Sequence, residues 1–273
     1  MKKILCPTDF SETAQSAIAY AAKLAQAMQA ELTLLNVQSL FDLTPVEVLR
    51  GKDMAIAGAA ERLESQSRQV SKAFKISCYA DVEASNINLS SVIAGKGKDY
   101  DLIVMGSDGP DDLYQFFGGS NTYHAIVKTE TPILVIPAGY LYSQINHIAY
   151  AFDYLHEGEI PLTGLIPFVR TMKSQLTILQ VLAGEYSRTE EAHMQEEREK
   201  IGQLYGEALT IRFDTVSSAE TIPQSINSYM MRKQPDALAL CTRHRNLLGR
   251  LFHKSTVKNL TAFSSYPVYV FHH

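Results

Sequence analysis

Long apolar runs are missing from this chain of 273 residues. No stretch approaches the roughly 20 consecutive apolar residues that a helix needs to cross a bilayer. The chain opens with two lysines after Met1, but the apolar segment behind them is too short for a signal peptide, and Asp9 and Glu12 follow at once. We therefore expect a cytoplasmic protein with no membrane partner.

Cysteine is also scarce, and the chain has no excess of positive charge. The three cysteines, Cys6, Cys78 and Cys241, lie far apart in apolar, strand-like segments, so we expect buried free thiols. No Cys/His spacing suggests zinc, and we predict no metal ligands. The formal net charge of -4 argues against a general nucleic-acid binder, although it leaves room for a local basic patch.

Strand and helix patterns alternate along the first half of the chain. This alternation predicts a doubly wound α/β fold, in which a mainly parallel sheet carries helices on both faces. The predicted strands are Lys3–Cys6, Leu32–Val37, Ile76–Val82, Asp101–Met105 and Pro132–Pro137. The predicted helices are Ser11–Met28, with a small-residue stripe at Ala14, Ala17, Ala21 and Ala25, and then Pro45–Lys72, Ile87–Lys96 and Ser120–Lys128.

The same order of strands occurs a second time. Asp153 lies 144 residues after Asp9, and the last two strands repeat at offsets of 135 or 136 residues. A period of about 140 residues is too long for a solenoid repeat. It indicates two similar five-stranded domains, 1–139 and 146–273, joined near Gly139–Asn146.

A glycine-rich segment follows the predicted fourth strand. Gly106 and Gly109, three positions apart, follow an apolar run, and after nine intervening residues Gly119 and Ser120 open a predicted helix. Glycines let the backbone approach an anion, and free N–H groups at a helix start point at it. The spacing indicates a phosphate cradle, and the alternative is a set of ordinary turn glycines. The glycine segment has no Gly-Lys-Ser/Thr ending, which argues against a GTPase-type loop. The first strand is not followed by Gly-x-Gly-x-x-Gly, which argues against a dehydrogenase.

A second loop ends in residues suited to ligand binding. Pro7-Thr8-Asp9 follows the first strand, and ligands of open parallel sheets bind beyond the carboxyl ends of strands where the strand order reverses. If the first and fourth strands are neighbours there, Asp9 can accept hydrogen bonds from an adenine amine or a ribose hydroxyl. The glycine loop and Ser120 then hold the phosphates. The alternative is that Asp9 only caps the helix that starts near Ser11.

With these motifs, the chain resembles the universal stress protein family over nearly its whole length, as a tandem pair. The resemblance rests on the opening Lys3–Ser11, the glycine pattern with Thr122 two residues after Ser120, and the final strand Pro132–Ile136. It implies a five-stranded α/β domain that often binds ATP. It also implies pairing through final strands, which a tandem chain can satisfy internally as a pseudo-dimer, with a homodimer as a further assembly.

The resemblance also implies where the nucleotide lies. Asp9 and the backbone of Val37 would lie near the adenine, and the glycine loop with the start of the following helix near the ribose and phosphates. The predicted nucleotide-binding residues are Pro7, Thr8, Asp9, Val37, Met105, Gly106, Gly109, Gly119, Ser120, Asn121 and Thr122.

The glycine loop departs from the family pattern in its charge. It carries Asp108, Asp111 and Asp112 and no lysine or arginine, where many family members carry a basic residue. Carboxylates near a triphosphate are unfavourable unless they point outward or a Mg²⁺ ion intervenes. We expect solvated, outward-facing carboxylates and a modest ATP affinity, with Mg²⁺ ligation as the alternative.

The second half loses the glycine signature. Thr242, Arg245 and Ser255 stand where the first half has glycines, so we predict no ATP there. The corresponding loop is basic instead, which indicates either a solvated face or a different anion or partner site. Its basic residues are Arg243, His244, Arg245, Arg250, His253 and Lys254.

No nucleophile–base pair, triad or metal motif is evident, so we predict no catalytic residues. We predict an ATP-binding stress-response regulator that acts on a protein partner the sequence does not identify, with hydrolysis slow or absent and at most a weak ATPase activity. One alternative is a nucleotide-independent interaction scaffold. The other is an adenylating, ligase-like enzyme, which would need a Ser-Gly-Gly-x-Asp-Ser loop that is absent after the first strand.

Overall fold

In the computed structural model the chain folds into two units. The structure describes residues 1–39, 52–107, 121–152, 160–182, 188–217, 221–242 and 265–272. The first unit contains the described residues up to Tyr142, and the second those from Ser143 onward. Tyr142 belongs to the first unit because its ring packs edge-on against Tyr20, which is almost fully buried, at a centroid distance of 5.0 Å.

The first unit is a five-stranded parallel sheet with the strand order β3-β2-β1-β4-β5. The small-residue stripe of its first helix is buried, as the sequence predicts. The strands are β1 (Lys3–Pro7), β2 (Glu31–Ser39), β3 (Cys78–Ser85), β4 (Leu102–Ser107) and β5 (Ile133–Pro137). The helices are α1 (Glu12–Met28), α2 (Lys52–Phe74), α3 (Leu89–Gly97) and α4 (Asn121–Lys128).

The second unit repeats this architecture. Its parallel strands lie in the order β8-β7-β6-β9-β10, which is the order of the first unit with each strand replaced by its repeat. The doubly wound fold with two similar halves is therefore confirmed. The strands are β6 (His147–Phe152), β7 (Gln175–Leu182), β8 (Ile211–Ser217), β9 (Ala237–Thr242) and β10 (Val268–His272). The helices are α5 (Ile166–Met172), α6 (Arg188–Tyr205) and α7 (Ile222–Lys233).

The predicted elements lie within a few residues of the observed ones. β3 begins at Cys78, two residues later than predicted, and α2 continues through Gly58. The first part of the predicted helix Pro45–Lys72 falls outside the described residues. In the described part of the chain, no helix is long and apolar enough to span a bilayer.

All three cysteines are free thiols, but their burial differs. Cys6 and Cys241 are buried as predicted, and desolvation raises the pKa of the Cys6 thiol far above its usual range. The prediction is wrong for Cys78, which is only partly buried. It begins β3, the edge strand, where a neighbouring strand covers one side only. Burial still raises the pKa of Cys78 to about 12.

A carboxylate fixes the start of the central strand in each unit. Asp101 Oδ2 accepts hydrogen bonds from the backbone N–H groups of Lys2 and Lys3, at 2.6 and 3.0 Å. Asp236 Oδ2 accepts from the N–H groups of Asn146 and His147 at 2.8 and 2.9 Å. The two units therefore repeat a side-chain contact as well as a strand order.

The pKa of Asp101 gives this contact a pH dependence. Partial burial alone would raise that pKa, but the hydrogen bonds from Lys2 and Lys3 lower it overall. A folded-state pKa below the unfolded value means that the contact stabilises the fold above the unfolded pKa of about 4. The stabilisation is lost as the pH falls through the folded-state pKa.

Replacing Asp101 by Asn should therefore lower the free energy of unfolding at pH 7. We expect a loss of about 1 kcal/mol, because the site is largely exposed and solvent screening weakens the contact. Chemical unfolding at several pH values measures it, and the difference between variant and parent should shrink below about pH 4. Asp99→Asn, two residues away, is the matched control with no expected effect. An equal loss in both variants, or a loss in Asp101→Asn that does not change with pH, would contradict this assignment.

Candidate functional site

The turn after β1 is held by its own side chains. Thr8 Oγ1 accepts a hydrogen bond from the backbone N–H of Phe10 at 3.1 Å, and Asp9 Oδ1 accepts from that of Ser11 at 2.9 Å. Ser11 is the N-cap of α1, with its hydroxyl accepting from Ala14 N–H at 3.2 Å. Asp9 thus fixes the approach to the helix without being its cap, and its carboxylate is exposed.

This turn is attached to the end of β2. The N–H of Thr8 donates to the carbonyl of Leu35 at 2.8 Å, and Asn36 Nδ2 donates to the carbonyl of Thr8, also at 2.8 Å. Asn36 is 4% exposed, and its amide oxygen accepts from Gln38 Nε2. A buried amide with partners for both its donor and its acceptor is a rigid brace. It holds Thr8, and with it Asp9, close to the strand segment that contains Val37.

The strand order reverses beside this turn. From β1 the chain proceeds to β2 on one side and later returns to β4 on the other, so β1 and β4 are the neighbours at the reversal. This meets the condition under which the sequence places the Asp9 loop and the glycine loop at one edge of the sheet. Crevices at such reversals are the usual ligand sites of open α/β sheets.

Gly106, at the end of β4, lies directly against the first turn of α1. A Cβ atom at Gly106 would come within 2.9 Å of both Cγ2 and the backbone oxygen of Thr13. Glycine is therefore required here by space, because no side chain fits between the strand and the helix. This is a packing reason for one of the motif's glycines, and it places Gly106 next to the helix turn that follows Asp9.

The described residues include eight of the eleven predicted nucleotide-binding residues. Pro7 ends β1 and Thr8 directly follows it, Val37 lies near the end of β2, and Met105 and Gly106 lie near the end of β4. All of them lie at the carboxyl ends of three adjacent strands. Asn121 and Thr122 are in the first turn of α4. Outside the described residues lie Gly109, Gly119, Ser120, Asp108, Asp111 and Asp112.

Phe10 adopts a backbone conformation that is unusual for an aromatic residue. Its φ angle is +67°, in the left-handed region that costs a residue with a Cβ atom about 1–2 kcal/mol. The guanidinium carbon of Arg62, on α2, lies 4.2 Å from the centroid of the Phe10 ring. Such a stacked cation is attracted by the ring quadrupole and favours the ring position seen here.

The second unit differs at the equivalent places. Thr242, the last residue of β9, stands where the first unit has Gly106, the second-last residue of β4. Its hydroxyl lies 3.5 Å from the carbonyl oxygen of Phe271. In this unit a glycine packs closely at another place: a Cβ atom at Gly164 would lie 2.7 Å from the Phe271 ring. Asp153 and the basic residues between 243 and 254 lie outside the described residues, as does Ser255.

Three residues of the site were not predicted from the sequence. Asn36 had a signal, since it is a polar residue within the apolar run of β2. Thr13 and Arg62 had none, because their roles arise from contacts with Gly106 and Phe10 that are distant in sequence. No group of three or more metal-ligating side chains is found among the residues described.

The comparisons with known proteins agree on one family. The model of the universal stress protein family matches residues 1–137. A universal stress protein of Methanocaldococcus jannaschii is 28% identical over 154 residues, which cover 50% of this chain and 94% of that protein.

Solved structures resemble the chain over its full length. A universal stress protein from Archaeoglobus fulgidus is similar with a TM-score of 0.71 and 17% identity, over 99% of this chain and 96% of that one. A putative universal stress protein from Pseudomonas aeruginosa is similar with a TM-score of 0.63 and 15% identity, over 100% and 93%. At these identities the likeness supports the fold of both units.

Replacing Gly106 by Ala should destabilise the first unit. The new Cβ atom would meet the backbone oxygen of Thr13, which moves only with α1, so we expect a loss of about 1–3 kcal/mol. Gly58→Ala is the matched control: its Cβ atom would meet nothing within 4 Å, and alanine in a helix should add about 0.5–1 kcal/mol. Chemical unfolding of both variants measures the difference. A parent-like stability of Gly106→Ala would contradict the close approach of β4 to α1.

Proposed function

Because the chain belongs to the universal stress protein family, we propose that its first unit binds ATP at the carboxyl ends of β1, β2 and β4. The observation that carries this proposal is the reversal of the strand order between β1 and β4, with Asp9 and Gly106 on either side of the first turn of α1. An open sheet offers its ligand crevice at this place.

Asp9 is the proposed contact to the adenine or ribose. Its carboxylate is exposed, and the Ser11 N–H occupies one of the roughly four acceptor positions that an ionised carboxylate has. Among the described residues, Ser11 N–H alone donates to this carboxylate, and its other positions can accept from an amine or hydroxyl of the ligand. Asn36 and the Leu35 carbonyl hold the turn, so that the carboxylate is oriented before the nucleotide arrives.

The phosphates are proposed to lie over the glycine loop. Asn121 begins α4 directly after Gly119 and Ser120, so the loop leads into a helix N-terminus. Backbone N–H groups and the positive end of the helix dipole at this position favour an anion. The proposal includes Gly109, Gly119 and Ser120 because they complete the glycine signature of the sequence.

The second unit is proposed to bind no ATP. Its Thr242 side chain occupies the place of Gly106, and its hydroxyl lies toward the neighbouring strand β10. A side chain at this position crowds the space that a phosphate would need. The basic loop that follows Thr242 stays a candidate for a different anion or a protein partner.

The proposed activity is regulation through binding, with hydrolysis slow or absent. ATP can shift the protein between two arrangements only if it binds one of them more tightly. The stress-response role, the cytoplasmic location, the pairing of the two halves through their final strands and the formation of a homodimer stay predictions of the sequence.

The first test is nucleotide content and ATP affinity. Protein purified without added ligand is denatured, any released nucleotide is identified, and ATP binding is measured by calorimetry. We expect one ATP per chain for the parent. Gly119→Val should weaken binding at least tenfold, about 1.4 kcal/mol, because a side chain there blocks the approach of the phosphates to the backbone.

Ser255→Val is the matched control, since Ser255 stands where Gly119 does in the second half. It should bind ATP like the parent. A parent that binds no ATP would refute the proposal and favour the nucleotide-independent scaffold. Equal affinity in the parent and Gly119→Val would remove the glycine loop from the site, and weakened binding in Ser255→Val would place a nucleotide in the second half.

A further inference from the structure

We propose that Arg62 is a positioning residue for the nucleotide site, which it orients through the Phe10 ring. This inference rests on the proposed function, because it concerns the turn that presents Asp9. Arg62 lies in the middle of α2, more than 50 positions after Phe10, and belongs to no predicted motif. Its side chain reaches the turn after β1, where it stacks on the Phe10 ring.

The Asp9 turn depends on the backbone conformation of Phe10. The hydrogen bond from Ser11 N–H to Asp9 Oδ1 spans Phe10, and it forms with Phe10 at a φ angle of +67°. If Phe10 relaxed to an ordinary negative φ angle, the Ser11 N–H would turn away from Asp9. The orientation of the Asp9 carboxylate is therefore set by a residue in an unfavourable conformation.

Arg62 favours the left-handed conformation of Phe10. The guanidinium stacks on the ring at 4.2 Å, and in the described part of the chain Arg62 makes no ion pair that competes with the stacking. The Thr8 hydroxyl holds the Phe10 backbone from the other direction. The ring is thus held by Arg62 of α2, and the backbone by Thr8 of the turn itself.

Arg62 lies apart from the residues that are proposed to contact the ligand. It lines an open groove of about 390 Å³ between α1 and α2, with Gln15 and Gln66 among the other lining residues. Among the described residues of the predicted nucleotide set, none lines this groove. Arg62 is therefore expected to act on nucleotide binding through Phe10 and not by touching the phosphates.

The experiment measures binding of two probes, ATP and uncharged adenosine, by calorimetry. Arg62→Ala should weaken both by the same factor, about two- to fivefold, since a stacked, exposed cation contributes that much to the turn. Arg62→Lys, which keeps a cation over the ring, should restore part of the affinity. Arg68→Ala removes the same charge from the same helix at an exposed position and should bind both probes like the parent.

A double-mutant cycle separates this role from a general one. In a Phe10→Ala background, Arg62→Ala should have no further effect on either affinity, because the ring through which it acts is gone. Thermal unfolding of each variant shows whether the fold is intact at the temperature of the binding measurement.

Some results would overturn the role of Arg62 alone, and one would also refute the proposed function. Weaker ATP binding with unchanged adenosine binding would show that Arg62 acts through its charge, and parent-like binding of both probes would show no positioning role. Both results overturn this inference and leave the proposed ATP site standing. An additive effect in the Phe10→Ala background also overturns it. A parent that binds neither probe refutes the proposed function itself, and this inference falls with it.

Discussion

The first turn of α1 lies so close to the end of β4 that no side chain fits between them. Gly106 meets this constraint, and Thr13 provides the opposing surface. Because Asp9 lies just before the helix and the glycine loop just after the strand, this single close approach brings the two segments of the candidate site together. The second unit has Thr242 at the equivalent place and a close approach at Gly164 instead. The two halves thus share a strand order but differ in the residue at this position and in the place where a glycine packs closely.

The fold could be predicted because the signals for it are local and occur twice. Buried parallel strands are continuous apolar runs, as in Leu102–Met105, and the alanine stripe of α1 has the period of a helix face. The family resemblance rested on the same segments and is confirmed by the family model. Cys78 was predicted wrongly because an apolar run does not reveal whether its strand is central or at the edge of the sheet.

The site could be predicted only in part, because its supports are long-range contacts. Asp9 and Gly106 stand in recognisable motifs, and the strand order brings both to the reversal point. The brace from Asn36 to Thr8 joins β2 to β1, and the stacking of Arg62 on Phe10 joins α2 to the turn. Neither contact has a sequence spacing that identifies it. Sequence motifs therefore indicate which residues are candidates for ligand contact, whereas the structure indicates what orients them.

Amide hydrogen exchange with and without ATP tests the central claim most directly, because it reports on each segment separately. If ATP binds at the strand-order reversal of the first unit, exchange should slow in the Asp9 turn, at the end of β4 and in the first turn of α4. The end of β9 and the loop that follows Thr242 should exchange at unchanged rates. Protection confined to the second unit, or no protection of the Asp9 turn at saturating ATP, would contradict the account.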